Sequence, residues 1–260
     1  MNTEKNERIR SLEAENRRLR KAVRDRDDFL RNTFGRYLTD EVLESILKEG
    51  DEVRIGGERR CVTMLFMDLR HSTELSEQMM ATDFIQMLNH FLIEMIEIIN
   101  AWQGNILDFV GDAIVAVYGA PRENQKAARD AAASAVAMQC RMPIVNAWNR
   151  EHGFPEISMG IGIHTGEAIL GNIGSSIRTK YDMIGRNVNL ASRIEGFTEG
   201  GQILMSTEAL EAAGELALTD PEREMLVKPK GIREEILLHD LIGFGSRIIP
   251  GREQPGNGNS

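Results

Sequence analysis

Two aspartates belong to short apolar runs of this sequence, at positions that suit metal binding. Asp68 ends the run CVTMLFMD at residues 61–68, and Asp112 lies inside the run ILDFVGDAIVAVY at residues 106–118. Each run has the length and composition of a buried strand, with the carboxylate where the strand gives way to a turn. Mg²⁺ is usually held by one or two carboxylates together with substrate phosphates. Two such carboxylates could hold a pair of metal ions over a triphosphate, although an Asp at a strand end is also a common turn residue.

Two later motifs add groups that suit phosphate chemistry. The first is GIHTGE at residues 162–167, and the second is KYDMIGRNVNLASR at residues 180–193. Within the second, Asn189 and Arg193 are four residues apart, so both point to one face of a predicted helix. An Arg in such a position can hold the charge that develops on phosphoryl oxygens. Taken alone, the same two residues would be a solvated surface pair.

The four blocks, in this order and at these separations, resemble the class III nucleotidyl cyclase catalytic domain over roughly residues 58–242. The VNLASR block together with the two aspartate blocks carries most of the specificity. The resemblance implies cyclisation of a nucleoside triphosphate, in which the 3′-hydroxyl attacks the α-phosphorus and pyrophosphate leaves. It also implies two divalent cations, Mg²⁺ or Mn²⁺, with Asp68, Asp112 and the carbonyl of Leu69 as ligands.

The same resemblance implies roles for three further side chains. Asn189 orients the ribose and Arg193 stabilises the transition state. Lys230 grips the triphosphate, with Lys228 as the competing lysine. Helix N-termini bind anions through free N–H groups, and a helix is expected to start soon after Asp68. We therefore expect the β- and γ-phosphates on the backbone of Leu69, Arg70, His71, Ser72 and Thr73.

Members of the cyclase family form a wreath-like head-to-tail dimer. In that dimer the two metal-binding aspartates of one subunit face the Asn, Arg and Lys of the other. This chain carries both groups, so a homodimer with two equivalent sites is sufficient. A monomer is expected to be inactive.

Two aspartates occupy the positions that select the purine base in the family. Asp108 stands four residues before Asp112, where adenylate cyclases usually have Lys and guanylate cyclases have Glu. Asp182 stands where adenylate cyclases have Asp or Thr and guanylate cyclases have Cys or another small residue. An ionised Asp only accepts hydrogen bonds, so Asp182 suits the 6-amino group of adenine, whereas Asp108 suits the N1–H and 2-amino donors of guanine. We expect ATP as substrate, with GTP as the alternative and a non-catalytic nucleotide-binding signalling domain as a further one.

The chain departs from the family pattern at Gly160, where mammalian adenylate cyclases have a phosphate-binding Arg. Arg178 or Lys180 could replace that Arg, although both could also be solvated loop charges. His164 is interpreted as a packed strand residue rather than a ligand. The sequence assigns no role to Arg186.

Composition and charge argue against several other functions. The 260 residues carry a net charge of −9, which argues against non-specific nucleic-acid binding. The two cysteines, Cys61 and Cys140, form no disulfide framework and favour a reducing, cytoplasmic setting. No apolar run approaches the ~20 residues that span a bilayer. The charged N-terminus lacks a signal-peptide core, so we expect no membrane segment in this chain.

Residues 1–33 carry a heptad pattern ahead of the catalytic region. Four residues fall at a and three at d: Ile9, Asn16, Val23 and Leu30, then Leu12, Leu19 and Arg26. A single Asn at an a position favours a parallel two-stranded coil in one register, so we expect a parallel homodimer. The alternative is a solvated helix or a disordered tail. Residues 34–57 resemble the transducing segment of many bacterial cyclases, which suggests that an upstream sensor domain is absent from this chain.

The remaining pattern predicts an α+β fold. Strands are expected at residues 60–69, 105–110, 112–118, 157–164, 167–172, 202–205 and within 224–240, and helices at 82–102, 124–149 and 186–197. Pro143 is expected to kink or interrupt the second helix. The order β-α-α-β-β-α-β is the ferredoxin-like plan, which the cyclase family also uses. The catalytic domain is expected at residues 58–243 and a disordered tail at 244–260. A diguanylate cyclase shares this plan, but the chain has no Gly-Gly-Asp-Glu-Phe-type turn.

Overall fold

The computed structural model of this chain describes residues 2–34, 55–175, 177–232 and 234–252, and the chain divides into two units. The first unit, residues 1–54, contains helix α1 (Asn2–Phe34). Four apolar side chains of the heptad pattern are exposed on this helix: Ile9, Leu12, Leu19 and Val23. The helix confirms the predicted element, and its pairing into a parallel coiled coil stays a prediction. Most of the predicted transducing segment, residues 35–54, lies outside the described residues.

The second unit, residues 55–260, contains all the other described elements. Its strands are β1 (Gly56–Leu69), β2 (Asn105–Val110), β3 (Ala113–Tyr118), β4 (Met159–Gly174), β5 (Thr179–Ile184), β6 (Ile203–Ser206), β7 (Ala217–Val227), β8 (Ile236–Phe244) and β9 (Arg247–Ile248). Its helices are α2 (Ser72–Gln78), α3 (Ala81–Ala101), α4 (Ala127–Glu151), α5 (Arg186–Glu195) and α6 (Thr207–Ala213). No helix in the described part of the chain combines the length and apolarity needed to cross a membrane.

One nine-stranded sheet runs through this unit in the order β2-β3-β1-β4-β6-β8-β7, with β5 paired to β4 and β9 paired to β8. Strand β1 pairs antiparallel with both β3 and β4. Strands β4 and β6 run parallel to each other. The first seven elements follow the order β-α-α-β-β-α-β, which confirms the predicted α+β, ferredoxin-like plan with additional strands.

The alternation of side chains along β1 divides the core between the two faces of the sheet. Leu65 and Met67 pack with α3, α4 and α6 on one face. Val62 and Met64 point the other way and belong to the cluster that includes Ala191 of α5. Helix α5 therefore lies on the opposite face from α3 and α4. Its close approach depends on glycine, because a Cβ on Gly162 of β4 would overlap the backbone of α5 at residue 195.

The predicted break between two strands at residues 164–167 is wrong, because β4 is one strand of 16 residues. The gap between the two predicted strands includes Gly166. In the structure it is a strand residue, and a Cβ there would be 2.6 Å from Asn187 Nδ2 of α5. The glycine therefore allows a helix to approach the sheet. Strand β5, which pairs with the far half of β4, was not predicted at all.

Two further expectations about chain continuity are also corrected. Helix α4 continues through Pro143, which lies on its exposed face, so the predicted interruption is wrong. Part of the predicted disordered tail is folded, since β9 pairs with β8 and Ile249 is buried. Arg252 forms an ion pair with the buried Asp240. Residues 253–260 lie outside the described residues.

Candidate active site

Asp68 and Asp112 lie at the same edge of the sheet because β1 and β3 pair antiparallel, with Met67 opposite Ile114. Asp68 is the penultimate residue of β1, and Asp112 lies in the turn between β2 and β3. Gly111 precedes it with φ of 67°, a left-handed conformation that glycine adopts without strain. The fold therefore brings the two predicted metal ligands together.

The Asp68 carboxyl is partly buried beside Asp112. Burial, followed by the hydrogen bond and the charge of Asp112, raises the pKa of Asp68 to about 6, while the charge of Arg70 opposes the rise. One oxygen of Asp112, Oδ2, is buried and has no hydrogen-bond partner. A buried acceptor without a donor, next to a second carboxylate, fits a divalent cation.

The composition of this site also fits a particular kind of metal. Among the described residues, no group of three or more His, Cys, Asp and Glu side chains is arranged to hold a metal ion. A cation here would take two carboxylates from the chain and further oxygens from elsewhere. That mixed set is typical of Mg²⁺ and similar cations at phosphate-transfer sites. The carbonyl of Leu69 stays a predicted additional ligand.

Glu195, the last residue of α5, lies close to the aspartate pair although no motif pointed to it. Its carboxylate forms an ion pair with the guanidinium of Arg70, which also lies 3.6 Å from Asp68 Oδ2. Burial raises the pKa of Glu195 to about 7; Arg70 opposes this rise, and the charges of Asp68 and Asp112 add to it. Arg70 therefore connects the end of α5 to the metal edge of the sheet.

The space above Gly160 is filled by the Thr198 side chain, with the Arg70 guanidinium next to it. A Cβ on Gly160 would overlap Thr198 Oγ1 and would lie 3.3 Å from Arg70 Cζ, so glycine is required there. Lys180, one of the two residues that could replace the family's arginine, has its ammonium group held by two aspartates in this structure. Arg178 is exposed, and its role stays a prediction.

The turn after Asp68 offers fewer free N–H groups than the sequence suggested. The N–H of Arg70 donates to the carbonyl of Ser158 at 2.8 Å, so this group is not available to phosphates, which corrects the prediction for Arg70. Phosphate binding by the backbone of Leu69 stays a prediction. Helix α2 begins at Ser72, and His71 before it has φ of 61° and makes no side-chain cap. Phosphate binding by His71, Ser72 and Thr73 stays a prediction.

Asn189 and Arg193 lie on one side of α5, as their spacing predicts. Asn189 is exposed, and Arg193 is partly buried against the turn that follows Lys230. A Cβ built on Gly231 would be 3.5 Å from both terminal nitrogens of Arg193. Gly231 has φ of 75°, so this turn requires glycine. Lys230 is therefore adjacent in the chain to the residue that contacts Arg193, which favours it over Lys228 as the phosphate-binding lysine.

His164 contacts the first turn of α5 from the neighbouring strand β4. It is buried in β4, with Nδ1 2.8 Å from Ser206 Oγ and Nε2 3.3 Å from Asn187 Oδ1. Asn187 in turn donates to the carbonyl of Glu167. Burial lowers the pKa of His164, so the neutral ring is favoured. These contacts agree with the interpretation of His164 as a packed strand residue.

The two predicted base-selecting aspartates come together around a lysine. Lys180 Nζ lies 2.6 Å from Asp108 Oδ2 and 3.2 Å from Asp182 Oδ2. The second oxygen of each carboxylate accepts from the next backbone N–H, of Phe109 at 2.9 Å and of Met183 at 2.8 Å. All three charged side chains are more than one-third exposed. We name Asp108, Lys180 and Asp182 the charged triplet.

Comparison with known proteins identifies the family of this domain. Residues 57–241 match the family model described as the adenylate and guanylate cyclase catalytic domain. The crystal structure of the guanylyl cyclase Cya2 is 40% identical, with a TM-score of 0.71, and the match covers 74% of this chain and 96% of that one. The adenylyl cyclase CyaB from P. aeruginosa is 31% identical, with a TM-score of 0.70, over 75% of this chain and 100% of that one.

The curated relatives are longer proteins. Adenylate cyclase 1 of Rhizobium meliloti (strain 1021) is 29% identical over 213 residues, which is 81% of this chain and 32% of that protein. The chain thus spans about a third of the length of the curated relatives that it matches.

Proposed function

We propose that this chain, which belongs to the adenylate and guanylate cyclase catalytic domain family, converts ATP to 3′,5′-cyclic AMP and pyrophosphate. The observation that carries the proposal is the Asp68–Asp112 pair, in which one buried oxygen of Asp112 has no hydrogen-bond partner. Burial and the neighbouring carboxylate make two ionised aspartates unfavourable at this edge without a cation. A non-catalytic nucleotide-binding domain would not require such a pair of carboxylates.

The chain's own groups have separate tasks in this reaction. Asp68 and Asp112, with the carbonyl of Leu69, would hold two divalent cations. When bound, such cations lower the pKa of the 3′-hydroxyl and neutralise phosphate oxygens. Asn189 orients the ribose from α5, which keeps the 3′-hydroxyl in line with the α-phosphorus. Arg193 stabilises charge on the α-phosphoryl oxygens, and Lys230 binds the triphosphate.

A head-to-tail homodimer would unite the aspartate pair of one subunit with Asn189, Arg193 and Lys230 of the other. Two features of the chain support a dimer. Helix α1 exposes Ile9, Leu12, Leu19 and Val23, a seam that suits a parallel coiled coil. Strands β2, β4 and β5 expose apolar side chains that a monomer would leave in water: Phe109, Val110, Ile169 and Ile184.

The proposed location is the cytoplasm. The two thiols, Cys61 and Cys140, are unpaired, as in a protein of a reducing, cytoplasmic setting.

ATP is the proposed substrate because Asp182 offers an acceptor that suits the 6-amino group of adenine and opposes the 6-oxo group of guanine. GTP is the second candidate. It is favoured by the 40% identity to a guanylyl cyclase and by the acidic Asp108 at the position where guanylate cyclases have Glu. The two candidates differ only in the base, so one assay separates them.

The first experiment measures products directly. The purified chain is incubated with ATP or GTP, each with Mg²⁺ and with Mn²⁺, and cyclic nucleotide is quantified by chromatography. We expect cyclic AMP to dominate and to vanish in Asp112→Ala. Predominant cyclic GMP would replace the ATP proposal by the GTP one. No product from either nucleotide, in a protein that is dimeric in solution, would contradict catalysis and support the signalling alternative.

A mixing experiment tests the shared site. Asp112→Ala and Asn189→Ala should each be inactive alone as homodimers. After mixing and exchange of subunits, about half of the dimers would be mixed, and each would contain one intact site out of two. We expect recovery of roughly a quarter of the wild-type activity. No recovery, with subunit exchange shown by differently tagged chains, would contradict a site shared between subunits.

A further inference from the structure

We infer that Glu195 is a positioning residue, which holds the guanidinium of Arg70 beside the aspartate pair and so leaves the cation position open. The aspartate pair is Asp68 with Asp112. Without Glu195, the protein's own arginine would neutralise the pair and compete with a metal ion. The inference rests on the proposed function, because it assumes that the pair takes a divalent cation.

The Arg70 guanidinium is fixed by Glu195 and by two backbone carbonyls. Its Nη2 forms an ion pair with the Glu195 carboxylate and donates to the carbonyl of Asp68 at 3.4 Å. Its Nη1 donates to the carbonyl of Thr198 at 3.3 Å. Asp68 Oδ2 lies 3.6 Å from Nη2, which is longer than a hydrogen bond. The guanidinium therefore uses its terminal donors on groups other than the carboxylates of the aspartate pair.

Two buried polar atoms of this cluster stay unpaired. Arg70 Nε is a buried donor without a hydrogen-bond partner, and Asp112 Oδ2 is a buried acceptor without one. Each unpaired group carries a free-energy cost, so a guanidinium that was free to move would turn its donors towards the aspartate pair. The ion pair with Glu195 opposes that movement. Asp112 Oδ2 thereby stays available to a metal ion.

Glu195 suits this task because its own position is fixed. It is the last residue of α5, and its side chain is only 13% exposed. A Cβ on Gly162 of β4 would be 2.3 Å from its backbone nitrogen, so the helix end is packed closely against the sheet. Its carbonyl accepts a hydrogen bond from the Thr198 hydroxyl at 2.6 Å. Among the described residues, the acidic partners of Arg70 are Glu195 and Asp68, so loss of the first leaves only the second.

A double-mutant cycle on Mn²⁺ binding tests the inference without turnover. Electron paramagnetic resonance of free Mn²⁺ gives the dissociation constant for the whole chain at pH 8, where Glu195 is ionised because its raised pKa is about 7. We expect Glu195→Gln to weaken Mn²⁺ binding by roughly tenfold, because the released guanidinium neutralises the aspartate pair and repels the cation. In an Arg70→Gln background, the same substitution should change the affinity by less than about twofold, because no guanidinium remains to be held.

Two controls accompany the cycle. Glu199→Gln is the same substitution at a carboxylate that is 81% exposed, and it should keep the wild-type affinity in both backgrounds. Arg70→Gln alone removes the competing cation, so it should bind Mn²⁺ at least as tightly as wild-type protein. Weaker binding in Arg70→Gln would overturn the inference even if Glu195→Gln failed to fold, which thermal unfolding without metal detects.

The remaining outcomes separate this inference from the proposed function. Equal losses from Glu195→Gln in the two backgrounds would overturn the inference, because Glu195 would then act through its own charge or through the packing of α5. An unchanged affinity in Glu195→Gln, or wild-type protein that binds no Mn²⁺, would overturn it as well. If the cycle shows the expected coupling but no cyclic nucleotide forms, the cyclase proposal fails and the role of Glu195 stands.

Discussion

This domain contains two pairs of aspartates, Asp68 with Asp112 and Asp108 with Asp182, and the pairs differ in what lies between their carboxylates. Asp68 and Asp112 contact each other, and one oxygen of Asp112 is buried without a partner. Asp108 and Asp182 contact the ammonium group of Lys180 instead. The nearest cation to the first pair, Arg70, is engaged by Glu195. Under the proposed function, the first pair takes a cation from outside, whereas the second pair is already next to the ammonium group of Lys180.

Aspartate side chains thus suit two different tasks within one domain, metal binding and recognition of a base. Buried carboxylates in contact disfavour ionisation, and a metal ion relieves that cost when it binds. Exposed carboxylates around a lysine form a small network of fixed donors and acceptors, which suits recognition of a base edge. The comparison predicts that equal substitutions in the two pairs will have very unequal effects.

The largest effect is expected from Asp112→Asn. The amide keeps the size of the side chain but removes the charge that a divalent cation needs, so kcat should fall by on the order of a thousandfold. Product formation is measured at saturating ATP and Mn²⁺. The unfolding temperature should not fall, because the substitution removes a repulsion. A variant that keeps more than a tenth of wild-type activity would contradict the metal role of this pair.

Arg193→Lys should have a smaller but still large effect. Lysine keeps the charge but loses the planar fork that can hold two phosphoryl oxygens, so kcat should fall by about a hundredfold while KM changes less. The matched control is Arg186→Lys, an exposed arginine at the start of the same helix. Equal losses in the two variants would indicate damage to α5 rather than to the transition state.

The pH dependence of metal binding should differ between the two pairs. Without a metal, the pKa of Asp68 is raised from 3.8 to about 6 in the folded protein. Between pH 3.8 and about 6 the carboxyl is therefore protonated in the folded protein and ionised in the unfolded chain. In the metal-free protein this protonation stabilises the fold below pH 3.8, and the stabilisation is lost as the pH rises through 6. A cation must displace that proton, so Mn²⁺ affinity should fall by about tenfold per pH unit below 6. Thermal shifts with and without Mn²⁺ at several pH values measure this.

Asp112→Asn is the control for that titration and should abolish the Mn²⁺-dependent shift at every pH. Asp108→Asn should leave the shift unchanged, because Asp108 contacts Lys180 and not the Asp68–Asp112 pair. An Mn²⁺ affinity that is constant between pH 5 and pH 7 would contradict the raised pKa of Asp68 as the cause.

Much of the geometry of the candidate site could be predicted from the sequence, because it depends on local features. Asp68 ends a strand and Asp112 lies in a turn, and both facts follow from short apolar runs. Asn189 and Arg193 share a helix, so their spacing alone places them on one face. The ferredoxin-like order follows from the same local patterns.

The sequence could not predict features that depend on contacts between distant segments. Glu195 meets Arg70 across 125 positions, and Lys180 meets Asp108 across 72. The predicted gap within β4 includes Gly166, because the sequence does not reveal that α5 packs against this glycine. Strand β5 has no long apolar run and exists because it pairs with the end of β4. In each case the tertiary pairing decides what the residue does.

The smallest effect is expected from Asp108→Asn, the same substitution as Asp112→Asn but in the other pair. An Asn at position 108 can still accept a hydrogen bond from Lys180, so kcat/KM for ATP should change by only about threefold. Activity with GTP should fall more, because the acceptor for the N1–H and 2-amino donors of guanine loses its charge. Both constants are measured in parallel for the two nucleotides. A loss with ATP as large as that of Asp112→Asn would mean that both aspartate pairs need an external cation, and the distinction between them would be wrong.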